Sequence, residues 1–177
     1  PKSILYHRQQ IQWLGGIGVV VLAVALLPIL GVGGMQLYRA EASGISREEK
    51  LTPRITHTAK SLWMIYIGLT AICAFAYYLA GMDAFDAIAH AYTTLSTAGF
   101  STHDASIGYF NSPIIEIICI IFMLLGGINF AIHFVAWKKR SILAYLNDPE
   151  SRAFLLLFIG ATLFIALSLY RTEVYAT

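Results

Sequence analysis

The apolar positions of this chain gather into long runs rather than alternating singly. Four of these runs, residues 11–37, 62–82, 117–137 and 153–170, are long enough to cross a bilayer as helices, which takes about 20 apolar residues. The first contains Pro28 and the Gly31, Gly33, Gly34 cluster, so a kink or an end is expected there. A different object lies between the second and third runs. Residues 83–100 place Phe85, Ile88, Ala91, Tyr92 and Leu95 at helical spacing. Only about 14 residues separate Asp86 from the break at Gly99, too few to span. The pattern predicts a short helix that enters the membrane and turns back.

Composition supports this reading. Of 177 residues, 58% are hydrophobic and 12% charged, and the mean hydropathy is +0.68. Soluble domains carry about 25% charged residues, so the lipid bilayer is the expected surrounding. The net charge of +2 is too small to indicate nucleic acid. Cys73 and Cys119 both fall in apolar runs without a C-x-x-C, which reads as packing rather than as metal or redox chemistry. The chain reads as an internal piece of a longer protein, so the lack of a targeting signal carries no meaning.

The placement of charge sets the expected orientation. Residues 38–60 carry Arg39, Arg47, Lys50, Arg54 and Lys60, and residues 138–152 carry Lys138, Lys139, Arg140 and Arg152. Residues 81–113 have no Lys or Arg, only the acidic Asp83, Asp86 and Asp104. By the positive-inside rule both basic connectors face the cytoplasm and the re-entrant segment dips in from the opposite side. Trp63 and Trp137 beside the basic ends, and Tyr77, Tyr78, Tyr109 and Phe110 near the other face, fit interfacial aromatics. Within the first connector, Ser46 with Glu49 reads as a capping box, and Thr52-Pro53 as a cap and first helical residue.

An internal repeat organises the runs. Leu14-Gly15-Gly16-Ile17 recurs as Leu125-Gly126-Gly127-Ile128, and Ile67-Gly68-Leu69-Thr70 as Ile159-Gly160-Ala161-Thr162. The first run then corresponds to the third and the second to the fourth. The repeat also extends the first helix upstream, over His7, Arg8, Gln9 and Gln10. The expected organisation is the last transmembrane helix of one unit (1–38), a connector (39–58), and a complete helix–re-entrant loop–helix unit (59–140, with its re-entrant part at 83–102). A second connector (141–152) and the first helix of a further unit (153–177) follow. The fold class is an all-α integral membrane protein.

The re-entrant segment carries the chemistry. Asp83 and Asp86 have the spacing of an N-cap and an acidic third position, which suits a helix start facing water. The helix C-terminus near Leu95 and Ser96, with unpaired carbonyls and negative partial charge, favours a cation beneath it. Next come Thr97, Ala98, Gly99, Phe100 and Ser101, a degenerate form of the Thr-Val-Gly-Tyr-Gly potassium filter. Extended backbone at membrane depth is tolerated where protein surrounds it or where it lines a passage. Gly99 permits conformations closed to other residues, so neighbouring carbonyls can turn inward and replace an ion's hydration shell. A hairpin that only packs, with Gly99 as its turn, is the alternative.

Four longer stretches resemble the Trk/Ktr/HKT potassium transporters: residues 8–18 (RQQIQWLGGIG), 27–41 (LPILGVGGMQLYRAE), 80–88 (AGMDAFDAI) and 99–110 (GFSTHDASIGYF). The resemblance implies four such units around one pore, each supplying one filter loop, and potassium uptake across a bacterial inner membrane. Here it places potassium at the backbone of Thr97, Ala98, Gly99 and Phe100. It also implies a homodimer and a cytoplasmic TrkA-like nucleotide-binding ring as partners, with no cofactor and no enzymatic step. The family pattern requires the Gly, not the leading Thr, in every unit, so the Thr97 side chain is left without an assigned role. A non-conducting structural or regulatory membrane subunit is the rival reading. Whether transport is channel-like or coupled to protons or sodium is open.

The remaining candidates are plainer. Gly15-Gly16 and Gly126-Gly127 suit close helix packing or a flexible point lining a cavity. Arg8 suits snorkelling or a structural pairing, with no acidic partner identifiable. Glu116 reads as an interfacial residue, and His90 and His133 as packing or hydrogen-bonded residues rather than ligands. No His, Cys, Asp and Glu grouping has metal-ligand spacing. The glycines at 31–34 are not a phosphate cradle, because no strand precedes them and no Lys-Ser/Thr follows.

Overall fold

A computed structural model describes residues 1–30 and 51–171. Regular structure among these residues is helical: α1 (Lys2–Leu30), α2 (Leu51–Leu79), α3 (Ala84–Leu95), a 3-10 turn (Ser106–Phe110), α4 (Pro113–Gly127), α5 (Phe130–Lys139), α6 (Leu143–Asn147) and α7 (Pro149–Arg171). Lys60–Leu79 and Pro149–Arg171 are each long and apolar enough to cross a membrane, and Pro113–Gly127 with Phe130–Trp137 would make a third, broken span.

Several expectations shift. α1 starts at Lys2, well upstream of residue 11, as the repeat suggested, and runs through Pro28. The glycine run at 31–34, the Ser46/Glu49 box, Arg39, Arg47 and Lys50 lie outside the described residues. α2 begins at Leu51, so Thr52 and Pro53 sit inside its first turn rather than at its cap; proline is tolerated there because the first N–H groups have no helical acceptor. The third run is not one helix. α4 stops at Gly127, Ile128 is extended (φ −77°, ψ 144°), and α5 starts afresh at Phe130.

The chain divides into two compact units, Pro1–Phe130 and Ala131–Thr177. In the first, α1, α2 and α4 pack around α3. Trp13 is the joint. Its indole N–H donates to Thr70 Oγ1 at 3.0 Å, and its carbonyl accepts from the Tyr66 hydroxyl at 3.0 Å. Its ring stacks on Tyr66 and Tyr92, with centroids 5.5 and 5.0 Å away, so one side chain ties α1 to both α2 and α3. Tyr77 was expected at the membrane interface. It is instead fully buried, its hydroxyl 2.9 Å from Thr94 Oγ1 of α3. A buried phenol needs such a partner, because an unpaired one costs roughly 1–3 kcal/mol. Tyr78, one position on, is exposed.

α2 ends in a Schellman motif. Gly81, at φ 106°, lets its own N–H reach the Tyr78 carbonyl and the Met82 N–H the Tyr77 carbonyl, both at 3.1 Å. Met82 is buried beside this turn, which aims the chain directly into α3.

In the second unit, α5 closes with the same device, Arg140 taking the left-handed position at φ 48° and Ser141 N–H bonding to the Ala136 carbonyl. His133 Nδ1 lies 2.9 Å from the Tyr145 hydroxyl, a hydrogen-bonded histidine. Asp148 starts α7, its carboxylate accepting from Ser151 N–H at 2.7 Å, with Pro149 in the first helical position.

Candidate functional site

The re-entrant helix α3 is built as its sequence suggests at the start and differently along its face. Asp83 is the N-cap, extended at ψ 162°, and its carboxylate accepts from Asp86 N–H at 2.7 Å. Of the expected apolar positions, Ala91 and Leu95 are in the core and Tyr92 is half-buried, but the burial extends well beyond that stripe. Ile88 is exposed and Phe85 only half-buried, while Ala87, Ala89, Ala91, His90, Thr93 and Thr94 are buried. The helix is enclosed on several sides, and small residues let its neighbours close in.

Two glycines make that enclosure possible at the C-terminal end. A Cβ on Gly16 of α1 would lie 2.9 Å from Ser96 Cβ and from the Tyr66 hydroxyl, and one on Gly126 of α4 would lie 2.6 Å from the Leu95 carbonyl oxygen. The repeated Leu-Gly-Gly-Ile motif therefore brings two different helices onto the same end of α3. These glycines serve close packing, and the α4 break follows directly after the second motif.

The chain leaves α3 through a Schellman motif of its own. Thr97 N–H bonds to the Thr94 carbonyl at 3.1 Å and Ala98 N–H to the Thr93 carbonyl at 3.0 Å. Thr97 occupies the left-handed position at φ 53°, and its hydroxyl donates to the Ser96 carbonyl at 2.8 Å. The carbonyls expected to be unpaired at this helix end are thus already engaged at Thr93, Thr94 and Ser96. Thr97, Ala98, Gly99 and Phe100 are exposed, in contrast to buried Thr93, Thr94 and Leu95 just before them. Gly99 has φ 85°. Nothing lies within 4 Å of where its Cβ would be, so the demand for glycine comes from the backbone conformation and not from crowding.

The return limb is held from α3. Asp86 is buried, with 12% of its side chain exposed. It accepts from the Thr102 hydroxyl at Oδ1, 2.7 Å, and from His103 Nε2 at Oδ2, 2.9 Å. His90, one turn along, has Nδ1 2.8 Å from the Asp86 carbonyl and Nε2 2.9 Å from Ser101 Oγ. A carbonyl can only accept, so Nδ1 carries the proton, and in the neutral ring Nε2 accepts from the Ser101 hydroxyl. Ser101 Oγ in turn accepts from His103 N–H at 3.1 Å. The His103 ring lies flat on Tyr109, centroids 3.6 Å apart and 4° from parallel, and edge-on to Phe110. His90 is a hydrogen-bonded residue, as expected.

Sequence reasoning singled out Asp83, Asp86 and residues 97–101; the Asp83 cap is in place, and what Asp86 holds was not anticipated. Thr102 and His103 had no assigned part, although their place in the GFSTHD stretch singled them out. Arg8 finds a partner that is not an acid, its guanidinium lying 4.6 Å from the Phe100 ring centroid. A cation over an aromatic face is attracted by the ring's quadrupole. Glu116 falls in the first turn of α4, where a carboxylate suits the helix dipole. Among the described residues no group of three or more His, Cys, Asp or Glu could hold a metal ion.

Comparison with known proteins places this architecture. A family model described as TrkH, cation transport protein, matches residues 1–176. The Trk system potassium uptake protein TrkH of Halomonas elongata is 55% identical over 177 residues, covering 100% of this chain and 37% of that protein. The protein of the same name in Escherichia coli strain K12 is 52% identical over 177 residues, again 37% of its length. The crystal structure of the potassium transporter TrkH from Vibrio parahaemolyticus superposes with a TM-score of 0.84 at 44% identity, covering 100% of this chain and 35% of that one. The chain thus spans little more than a third of the relatives it matches. With the family model covering nearly every residue and the helix–re-entrant loop–helix geometry in place, this chain belongs to the TrkH cation transport family.

Proposed function

We propose that this chain forms part of a potassium uptake pore, with the loop Thr97, Ala98, Gly99, Phe100 and Ser101 as one of its filter segments. The observation that carries this reading is the loop itself. A re-entrant helix delivers an exposed, left-handed backbone at Thr97 and Gly99, tied on both sides to buried residues. Such a loop can present carbonyl oxygens in place of an ion's hydration shell. The relatives are named potassium uptake proteins, and the chain carries that activity as permeation, not as an enzymatic reaction.

On this reading residues 1–38 close one pore unit, 59–140 form a complete unit and 153–177 open another. Residues 39–60 and 138–152 lie on the cytoplasmic side of a bacterial inner membrane and 81–113 on the periplasmic side. The whole protein is a homodimer that docks a cytoplasmic TrkA-like nucleotide-binding ring through the basic connectors. Potassium is the substrate at the Thr97, Ala98, Gly99 and Phe100 backbone, and no cofactor is needed.

The test is potassium and sodium uptake by the full-length protein in proteoliposomes, with Gly99→Ser. Loss of flux or of potassium preference is expected. A variant with unaltered flux and preference would leave the loop as a packing hairpin and favour a non-conducting role.

A further inference from the structure

The mechanism above uses the loop but not the polar cluster beneath its return limb. That cluster is larger than capping α3 requires. Asp83 already caps the helix, yet Asp86 is buried and spends both carboxylate oxygens on the loop, at 2.7 Å to Thr102 and 2.9 Å to His103. His90 is buried beside it with both ring nitrogens engaged, one on the Asp86 carbonyl and one on Ser101. Burying a carboxylate is unfavourable unless it is paired and hydrogen-bonded. Here its partners belong to the three residues directly after Phe100.

We propose that Asp86 and His90 are positioning residues for ion selection: through Thr102, His103 and Ser101 they fix the return limb and so set the spacing of the carbonyls around Gly99. This rests on reading the loop as a filter. The entering limb is fixed independently, by the bonds of Thr97 and Ala98 to the end of α3. Between the two anchored limbs, Phe100 lies under Arg8, and the glycine is left as the adjustable joint. Hydrogen bonds to a charged partner are short and directional, so the carboxylate clamp restricts limb position more tightly than apolar contact would. Discrimination between two cations of equal charge depends on carbonyl number and placement, so loosening the clamp reduces preference before it reduces flux.

The experiment measures the potassium-to-sodium uptake ratio and membrane abundance of the full-length protein carrying Thr102→Val, Thr102→Ser, Asp86→Asn and the Thr102→Val/Asp86→Asn pair. Thr102→Val is expected to lower the ratio about tenfold, equivalent to ~1.4 kcal/mol, at unchanged abundance. Thr102→Ser, which keeps the hydroxyl, restores it. The pair falls by less than the sum of its two single members, because both weaken the shared Thr102–Asp86 contact. A wild-type ratio in Thr102→Val, or a Thr102→Ser variant as impaired as Thr102→Val, overturns the proposal. If Asp86→Asn does not accumulate, Thr102→Val alone decides, since it leaves the Asp86–His103 pair intact. Gly99→Ser separates the two readings. An unchanged ratio there removes the filter and this proposal with it, whereas loss in Gly99→Ser with none in Thr102→Val removes only the clamp.

Discussion

Thr97 holds a β-branched side chain at φ 53°, where the left-handed conformation costs an L-residue roughly 1–2 kcal/mol. Glycine is the usual occupant of this Schellman position, and its greater freedom in the unfolded chain costs only about 0.5–1 kcal/mol. Thr97→Gly is therefore expected to stabilise the full-length protein by up to about 1 kcal/mol, seen as a higher thermal midpoint in detergent; a lower midpoint would show that the threonine is not strained. Asp86, in the first turn of the re-entrant helix, shows the opposite balance. Burial by itself would raise its pKa, but hydrogen bonds from His103 and Thr102 hold the carboxyl below the ordinary range. A depressed carboxylate adds stability that is fully present above its unfolded pKa and is lost as pH falls through the folded one. The loop should thus stay clamped from neutral pH down to the ordinary aspartate range, with protection of residues 101–103 from hydrogen exchange failing only below it. Asp83 was legible as a cap because capping is local, three residues from donor to acceptor. The second duty of Asp86 was not, because no local rule says which way the chain returns.

At the scale of elements, α3 is decided by what closes around it. The C-terminal end of this helix touches α1 at Gly16 and α4 at Gly126. The Gly126 contact is the less forgiving, since the obstacle is a backbone carbonyl that cannot rotate away. Gly126→Ala is expected to destabilise by about 1–3 kcal/mol, as overpacking does, and to disturb the loop that starts at Leu95. Gly15→Ala meets nothing within 4 Å and should be neutral or stabilising by up to about 1 kcal/mol, the usual gain of alanine over glycine in a helix. Comparing thermal midpoints of the two variants checks this, and equal effects would contradict it. The repeat pointed to both motifs, but periodicity cannot say which glycine of a pair faces the neighbour. The same gap misplaced Tyr77: an aromatic near the end of an apolar run suits an interface, and only the packing of α2 on α3 gave its hydroxyl a buried partner in Thr94.

At the scale of the whole molecule, the arrangement of basic connectors and acid-only loop carries a topology prediction. With a cysteine introduced by Asp104→Cys in the full-length protein, a membrane-impermeant thiol reagent should react from the periplasmic side. Labelling only from the cytoplasmic side would reverse the orientation. What the amino-acid sequence determined on its own was whatever depends on composition and short-range period. That includes the membrane-length apolar runs, the short re-entrant helix with its Asp83 cap, the loop centred on Gly99 and the family stretches. The tertiary structure alone decided the partners brought together from distant positions: Arg8 over Phe100, Trp13 between Tyr66 and Tyr92, and Asp86 and His90 beneath residues 101–103. It also decided the break after Gly127 in what reads as one apolar run. Hydrophobic pattern specifies how much surface must leave water, but not which polar groups will then meet. That is set by the directional demand that each buried donor and acceptor find a partner, and it is resolved only when the helices pack.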